Sequence, residues 1–370
     1  MGRALVTGFP SFFARKLVSE LLEDESTSVV ALVPERDREG AEEAAQLSRD
    51  RSRIEILSGE VGAIDFGLSG ARYLALANEL NVAHYVPSAD LGASRGTDKK
   101  PEEVRRGYIA MAREALAFAA TASEGLGSSV LHSSVDVAGT YRGLFSEGDL
   151  AKGQRFTNAG AEGRAIAEAM FRRKMPDLPL CVVRPTVVIG DSRTGEFDEL
   201  DGLYLLILLV VTSPPDFTLP LPGRGDQLLN LVPVDYVVRA ARRIGELPEA
   251  RGRTFHLGDP SPCSALRVFE LVSQVVGRRG PRGFIPANLT RALLRAPGIE
   301  RIARSPRAFL EALVREGTYG FANTEATLGD SLRCPPFESY VETLVRRVED
   351  SVKAKNAPRE SLGDVEDTLL

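Results

Sequence analysis

Cysteine and histidine are scarce in this sequence of 370 residues, which contains three of each. The cysteines, at Cys181, Cys263 and Cys334, lie far apart and form no C-x-x-C pair. We therefore expect reduced, buried thiols in a cytoplasmic protein and no disulfide framework. The histidines are equally scattered, so the sequence predicts no metal site.

An excess of positive charge is also missing. The chain has 46 Lys and Arg against 51 Asp and Glu, a net charge of -5, whereas nucleic-acid-binding proteins usually show a basic excess. We therefore expect no nucleic-acid partner. The first residues run directly into a strand-like segment, so we also expect no signal peptide.

Long hydrophobic runs are lacking as well. The apolar segment Leu203–Val211 has nine residues, about half of what a helix needs to cross a bilayer. Acidic residues precede it and Pro214 and Pro215 follow it, so we expect no membrane span. The segment is better interpreted as a buried helix, or as a hydrophobic wall for a ligand or partner.

What the sequence does contain is an alternation of short β-branched segments with longer helical patterns. This alternation indicates a parallel sheet covered by helices. The predicted strands are Arg3–Thr7, Ser28–Val33, Ile54–Ser58, Val82–Val86, Ser128–Ser133 and Leu178–Val183, with a further strand at Thr254–Leu257. The predicted helices are Phe12–Leu22, Glu35–Asp50, Arg72–Asn81, Pro101–Ser123 and Glu162–Arg173. We predict an α/β fold, a doubly wound parallel Rossmann sheet with a smaller, mostly helical C-terminal lobe.

The pattern changes after Gly190, where loops rich in proline and glycine appear. We predict a Rossmann domain over 1–195, an excursion into a substrate lobe over 196–225 and a return to the sheet over 226–260. Proline-broken helical pieces over 261–350 predict a C-terminal lobe closing over the carboxyl ends of the strands. The polar residues 351–370 are predicted to form a disordered tail.

Five motifs occur in order along the chain: TGFPSFFA from Thr7, GEV from Gly59, DFGLS from Asp65, RPTVVIGDSRTG from Arg184 and LVPVDYV from Leu231. The first resembles the T-G-x-x-G-F-x-G turn of extended short-chain dehydrogenases. The others resemble motifs of their subgroup that contains thioester reductases and fatty acyl-CoA reductases, the male sterility type. The resemblance implies a Rossmann fold and an NAD or NADP cofactor.

The glycine-rich turn is incomplete in this chain. In the family it lets the backbone approach the pyrophosphate of the dinucleotide. Gly8 is kept, but Ser11 and Ala14 replace the second and third glycines. Two interpretations stay open: altered or weakened dinucleotide binding, with the Ser11 hydroxyl donating to a phosphate, or a turn that survives only as a structural link.

Arginines follow the second predicted strand, at Arg36 and Arg38. In relatives an acidic residue at this point binds a ribose hydroxyl, and an arginine favours a 2′-phosphate. The sequence therefore favours NADP over NAD if a dinucleotide binds. The alternative is a solvated helix start of mixed charge.

The resemblance also locates the proton relay of the family, in which a tyrosine and a lysine follow a Ser or Thr. Ser134 occupies the hydroxyl position after the fifth strand. Four anchors set the register of the next helix, namely Phe156, Asn158, Ala167 and Glu168. Gly160 then takes the tyrosine position and Arg164 the lysine position. Tyr108 stands where the family has an asparagine.

The usual proton relay is therefore predicted to be absent. Glycine has no proton to transfer, and arginine is a permanent planar cation, although Arg164 can still bind ribose hydroxyls or a phosphate. Tyr108 is the leading candidate for a replacement acid, and burial in the core is its alternative interpretation.

The candidate site residues form three sets. The catalytic candidates are Ser134, Arg164 and Tyr108. The predicted cofactor contacts are Gly8, Phe9, Pro10, Ser11, Phe12, Phe13, Arg36, Glu60, Val61, Arg164 and Pro185. The predicted substrate-cleft residues are Ser133, Asp136, Thr186, Val187, Ser192, Thr194 and Tyr204.

Three functions remain open from the sequence. One is a non-standard or non-redox enzyme acting on a hydrophobic acyl or polyketide-like substrate. A second is a pseudoenzyme, such as a nucleotide-sensing regulator or a scaffold that forms a homodimer or pairs with an active relative. The third is an NADP-dependent reductase of acyl thioesters or carbonyls with relocated catalytic residues.

Overall fold

The computed structural model describes residues 2–88, 99–122, 124–198, 202–214, 221–222, 225–285 and 317–356. Seven parallel strands form its central sheet. Along the chain these are β1 (Gly2–Thr7), β2 (Thr27–Val33), β3 (Ile54–Ser58), β4 (Val82–Tyr85), β5 (Ser128–His132), β7 (Leu180–Pro185) and β12 (Thr254–Leu257). Their spatial order is β12-β7-β5-β4-β1-β2-β3, which confirms the predicted doubly wound α/β fold.

Short strands pair outside this sheet, joining β8 with β11, β10 with β13, β9 with β14 and β6 with β15. Their bounds are β6 (Gly143–Phe145), β8 (Val187–Ile189), β9 (Leu221–Pro222), β10 (Leu228–Leu229), β11 (Leu231–Pro233), β13 (Cys263–Ser264), β14 (Phe284–Ile285) and β15 (Gly317–Tyr319).

Ten α-helices lie in the described ranges. They are α1 (Phe12–Leu21), α2 (Arg38–Gln46), α3 (Gly70–Glu79), α4 (Pro101–Thr121), α5 (Ala159–Lys174), α6 (Leu203–Thr212), α7 (Val234–Glu246), α8 (Ala265–Val275), α9 (Ala322–Leu328) and α10 (Val341–Asn356). The helix predicted over 35–50 is shorter, because a 3-10 turn at Glu35–Asp37 precedes α2.

Helices cover both faces of the sheet because alternate strand residues point to opposite sides. Leu5 and Leu131 belong to the core beneath α3, α4 and α5. Val6 packs under α1 on the opposite face, and Val130 packs under α7. Each face thus buries its own apolar layer, and the carboxyl ends of the strands meet along one edge.

The C-terminal lobe has a separate apolar core formed by α6, α8 and α10. Residues Leu203–Leu208 of α6 are all buried there, so the apolar run is a buried helix enclosed by its own chain. No helix in the described ranges is long and apolar enough to span a bilayer. The tail predicted to be disordered from 351 begins inside α10, which continues to Asn356, and 357–370 lie outside the described residues.

Candidate active site

A cleft of about 670 Å³ opens at the carboxyl ends of β1, β2 and β3. Its wall includes the glycine-rich turn, from Thr7 to Phe12. Six of the predicted cofactor contacts lie there beside one another in space: Gly8, Phe9, Pro10, Ser11, Phe12 and Arg36. Glu60 and Val61 line the opposite side, after β3. The location is the crevice where sheets of this kind bind ligands.

Gly8 is required by the close approach of two strands. It has a φ of 78°, and a Cβ at this position would lie 2.9 Å from the carbonyl oxygen of Val86. Thr7 donates from Oγ1 to that same oxygen at 2.7 Å, which ties β1 to the end of β4. A side chain at position 8 would be strained and would clash with backbone, so glycine is required at this point of the turn.

Ser11 caps helix α1. Its Oγ accepts a hydrogen bond from the N–H of Ala14 at 3.4 Å, and its own N–H donates to the carbonyl oxygen of Gly8 at 3.0 Å. The hydroxyl therefore satisfies a helix N–H that would otherwise be free for an anion. The turn is closed and ordered despite the lost glycine.

Arg36 lies at the rim of the cleft, while Arg38 does not line it. The Nη1 of Arg36 is 3.5 Å from Glu60 Oε1, and its Nε is 3.8 Å from Asp37 Oδ2. Arg38 instead donates to the Oγ of Ser58 at 3.0 Å. Of the two arginines after β2, Arg36 is the one placed to contact a ligand.

Three of the predicted cofactor contacts do not line the cleft: Phe13, Pro185 and Arg164. Phe13 packs its ring edge-on to His132, with ring centres 5.3 Å apart, because it follows Phe12 on the helix and points about 100° away from it. Pro185 is buried at the end of β7, where it pairs with Leu257 of β12.

Ser134 and Arg164 both lie next to Asp136, and Arg164 also lies beside the Tyr108 ring. The Oγ of Ser134 accepts a hydrogen bond from the N–H of Asp136 at 3.1 Å. The Nη1 of Arg164 lies 4.0 Å from Asp136 Oδ2, and its guanidinium carbon is 5.5 Å from the centre of the Tyr108 ring. Gly160 is buried in the first turn of α5. The structure brings these candidates together, and no ionisable proton donor stands at position 160.

Tyr108 is completely buried between α4 and α5. A Cβ on Gly163 would come within 2.5 Å of the Cδ2 of this ring, so the missing side chain is what allows the two helices to approach. Proton transfer from Tyr108 to a bound substrate would require this contact to open. Its role as a replacement acid stays a prediction.

A buried polar network lies behind β5 and β7. The Arg184 side chain is fully buried and donates two hydrogen bonds to Glu168, at 3.0 and 2.6 Å. Ser133 donates from Oγ to the same carboxylate at 3.1 Å. Because arginine only donates, His256 accepts through Nε2, 3.1 Å from Arg184 Nη1, and is a neutral imidazole. Burial first, and then the charge of Arg184, lowers the pKa of His256 to about 3.

The residues predicted to line a substrate cleft make internal contacts. Thr186 donates to Asn230 Oδ1 at 2.9 Å, and Ser192 donates to Asp235 Oδ2 at 2.9 Å. Val187 pairs with Leu231 in the two-stranded sheet of β8 and β11. The Oγ1 of Thr194 accepts a hydrogen bond from the N–H of Glu196 at 3.2 Å, and the hydroxyl of Tyr204 accepts one from the N–H of Gly190 at 2.7 Å. These contacts hold the segment after β7 to α6 and α7, and substrate binding by these residues stays a prediction.

Sequence reasoning overlooked two cations in α1, Arg15 and Lys16. Arg15 lines the cleft. Lys16 places its Nζ 3.0 Å from Asp191 Oδ2 and 2.8 Å from Glu196 Oε2. Lys16 thereby connects the glycine-rich turn with the Gly-Asp-Ser-x-Thr-Gly segment. The sequence does contain an acidic residue that could have pointed to such a partner, Asp191 of the Gly-Asp-Ser-x-Thr-Gly segment.

Two buried histidines lie side by side on the adjacent strands β4 and β5. His84 Nδ1 and His132 Nε2 are 3.1 Å apart on the adjacent strands β4 and β5, and both side chains are buried. Burial lowers the pKa of His84 to about 3, and burial together with His84 lowers the pKa of His132. Both rings are therefore neutral at physiological pH. No group of three potential metal-ligating side chains occurs in the described ranges.

Residues 6–241 match the model of an NAD-binding family described as male sterility protein. The chain belongs to this family. The match covers the glycine-rich turn, the relay positions and most of α7, so it confirms the resemblance to extended short-chain dehydrogenases of the thioester reductase type.

Two curated fungal proteins are similar in sequence. The glycine betaine reductase ATRR of Emericella nidulans is 24% identical over 286 residues, 72% of this chain and 22% of that protein. The non-canonical nonribosomal peptide synthetase FrzA of Cladobotryum sp. is 31% identical over 102 residues, 27% of this chain and 10% of the synthetase. The matched part of this chain is thus a small fraction of each relative.

Solved structures share the fold. The terminal R domain of the myxalamid PKS-NRPS pathway has a TM-score of 0.75 at 22% identity, with 95% of this chain and 91% of that chain covered. A thiolation-reductase di-domain of an archaeal nonribosomal peptide synthetase has a TM-score of 0.72 at 15% identity, covering 95% and 76%. The NAD complex of a UDP-glucuronic acid 4-epimerase from Bacillus cereus has a TM-score of 0.65 at 14% identity, covering 96% and 99%.

Proposed function

We propose that this protein binds NADP in its cleft and does not perform the ordinary hydride transfer of its family. The observation that carries the proposal is the register of α5, which puts Gly160 and Arg164 at the positions of the tyrosine and lysine. A carbonyl reduced there would need a proton donor whose pKa is drawn toward neutrality. Glycine supplies none, and the guanidinium of Arg164 keeps its protons.

The cleft fits a dinucleotide in size and in its glycine cradle. Gly8 would hold backbone close to the phosphates, because a Cβ there would meet Val86. Arg36 at the rim supports NADP over NAD, since its planar fork suits a 2′-phosphate. When bound, the cofactor would supply a hydride donor or acceptor. The residues of this chain would orient it, and Arg164, which lies 4.0 Å from Asp136, is proposed to bind a ribose hydroxyl.

We propose an acyl-type compound as the second ligand, by analogy with the reductase names of the relatives. Two roles are consistent with a bound nucleotide and no relay. One is regulation or scaffolding as a homodimer or with an active relative, and the other is a non-redox reaction on a hydrophobic acyl or polyketide-like substrate. The first is favoured because Thr186, Ser192 and Tyr204 are engaged in internal hydrogen bonds.

The test separates binding from chemistry. Thermal unfolding is measured with NADPH and with NADH at equal concentrations, and NADPH absorbance is followed with acyl thioesters present. We expect NADPH to raise the Tm more than NADH does, with no consumption of NADPH. Consumption of NADPH by the unmodified protein with a thioester would overturn the proposed loss of reduction.

A double variant tests the register of α5. In Gly160→Tyr/Arg164→Lys the two missing groups return, and we expect NADPH-dependent reduction to appear. The single variants are the matched controls, because neither restores the pair. A double variant that binds NADPH and stays inactive would show that more than the relay has been lost.

A further inference from the structure

We infer that Arg15 holds a phosphate of the bound nucleotide and takes over from the glycine that Ser11 replaces. The inference rests on the proposed function and adds a specific residue to it. Four observations support the inference: the position of Arg15, the lack of a hydrogen-bond partner for its Nε among the described residues, the contacts of the neighbouring cations, and the chemistry of the guanidinium group.

Arg15 lies one helical turn after the altered position. Its N–H donates to the carbonyl oxygen of Ser11 at 2.9 Å, and residues four apart share one face of a helix. Both residues line the same cleft, together with Gly8 and Pro10. The guanidinium therefore lies on the wall where the turn meets the phosphates of a dinucleotide.

The side chain of Arg15 has an unfilled hydrogen-bonding position. Its Nε is buried and has no hydrogen-bond partner among the residues that the structure describes. The guanidinium carbon lies 5.9 Å from the centre of the Phe12 ring, which holds the group beside the cleft. A buried donor without an acceptor is unfavourable, and an anionic ligand in the cleft would remove this deficit.

The neighbouring cations differ from Arg15. Lys16 is engaged with both Asp191 and Glu196, and Arg36 lies near Asp37 and Glu60. Unlike Lys16 and Arg36, Arg15 of helix α1 has a buried Nε with no hydrogen-bond acceptor among the described residues.

The chemistry of Ser11 explains why such a residue is needed. Its Cβ keeps a phosphate away from the backbone, and its hydroxyl caps the helix at Ala14. A long side chain from the next turn can reach across that gap. The planar guanidinium can then donate two parallel hydrogen bonds to phosphate oxygens.

The test compares three arginine variants in the full chain. Dissociation constants for NADPH, ADP and pyrophosphate are measured by calorimetry for Arg15→Met, Arg15→Lys and Arg346→Met, the last lying far from the turn on α10. We expect Arg15→Met to weaken all three ligands at least about tenfold, and Arg15→Lys to weaken them less. Arg346→Met should match the parent protein, and circular dichroism checks that each variant is folded.

The outcomes separate the two proposals. Unchanged affinities in folded Arg15→Met would overturn the inference and leave NADP binding intact. If the parent binds ADP and pyrophosphate through Arg15 but does not bind NADPH, the inference holds for a nucleotide and the proposed cofactor fails. If the parent binds none of the three ligands, both fail. An unfolded Arg15→Met leaves Arg15→Lys to decide, because equal affinity in that variant would contradict bidentate binding.

Discussion

The carboxyl edge of the sheet has two halves that differ in how their side chains are used. At β1, β2 and β3 an open cleft of about 670 Å³ is lined by the glycine-rich turn, Arg15 and Arg36. At β5 and β7 the polar side chains bind one another, as Ser133, Glu168 and Arg184 do. The first half has space and polar groups at an open cleft, and the polar groups of the second half bind one another inside the fold.

The difference shows which polar groups line an open cleft and which are used inside the fold. Helix α5, which carries Gly160 and Arg164, is held by contacts of its other residues. Those contacts include the Gly163–Tyr108 packing and the Arg184–Glu168 pair. The predictions below test this contrast, from the largest expected effect to the smallest.

The largest effect is expected from breaking the buried ion pair. Glu168→Ala leaves the fully buried Arg184 without its carboxylate, and removing one partner of such a pair typically costs about 3–5 kcal/mol. Urea unfolding should show this loss of the free energy of unfolding. The control is Glu270→Ala, which removes an exposed partner of Arg267. Equal stability of the two variants would contradict the claim that the β5–β7 half is structural.

The second effect is a dependence of stability on pH. The folded pKa of His84 is about 3, below its unfolded value, so the unfolded state binds more protons and stability falls as the pH drops below about 6.5. One such histidine should account for about 2 kcal/mol between pH 7 and pH 5.

This dependence is measured by urea unfolding at pH 7, 6 and 5 on the parent and on His84→Gln. The variant should lose less stability with falling pH, whatever its absolute stability. Parallel pH slopes for the two proteins would show that His84 is not a neutral buried group.

A third effect comes from the contact of α4 with α5. The added methyl of Gly163→Ala would lie 2.5 Å from the Tyr108 ring, and overpacking of this kind costs about 1–3 kcal/mol. Gly70→Ala is the matched control, because a Cβ there meets nothing within 4 Å. A stable Gly163→Ala protein would mean that the two helices are less tightly packed than described.

The smallest effect is expected at an exposed ion pair on α10. Arg346→Ala removes a contact with Glu342 one turn away, and both side chains are more than half exposed. Such pairs contribute about 0.3–0.5 kcal/mol. A loss of about 2 kcal/mol or more would show that charges on the surface matter as much as those behind β5, and would remove the contrast between the two regions.

Much of the fold could be predicted from the chain order of its elements. The six strands over 3–183 follow from β-branched segments that recur between helical patterns, and the further strand predicted at Thr254–Leu257 is β12, the seventh strand of the sheet. The glycine-rich turn and Arg36, which the motifs single out, line one cleft. Local patterns are sufficient for such features, since they depend on residues close together in the chain.

Side-chain direction was harder to predict. Phe13 is adjacent to Phe12 yet packs against His132, and the hydroxyl of Ser11 turns to the helix end. Arg15 and Lys16 are adjacent in the chain, yet Lys16 forms an ion pair with Asp191, whereas the buried Nε of Arg15 has no hydrogen-bond acceptor among the described residues. This difference arises from contacts between distant parts of the chain. These outcomes depend on atoms far away in sequence.

The sequence by itself determined the family and the doubly wound sheet, because motifs and periodicity are local properties. Only the tertiary structure decided which polar groups stay available to a ligand. Arg184 of β7 forms hydrogen bonds with Glu168 of α5 and His256 of β12. The Nε of Arg15, by contrast, has no acceptor among the described residues, and Arg15 lines an open cleft. The physical reason is that partners for a charge are supplied by packing, which no local pattern contains.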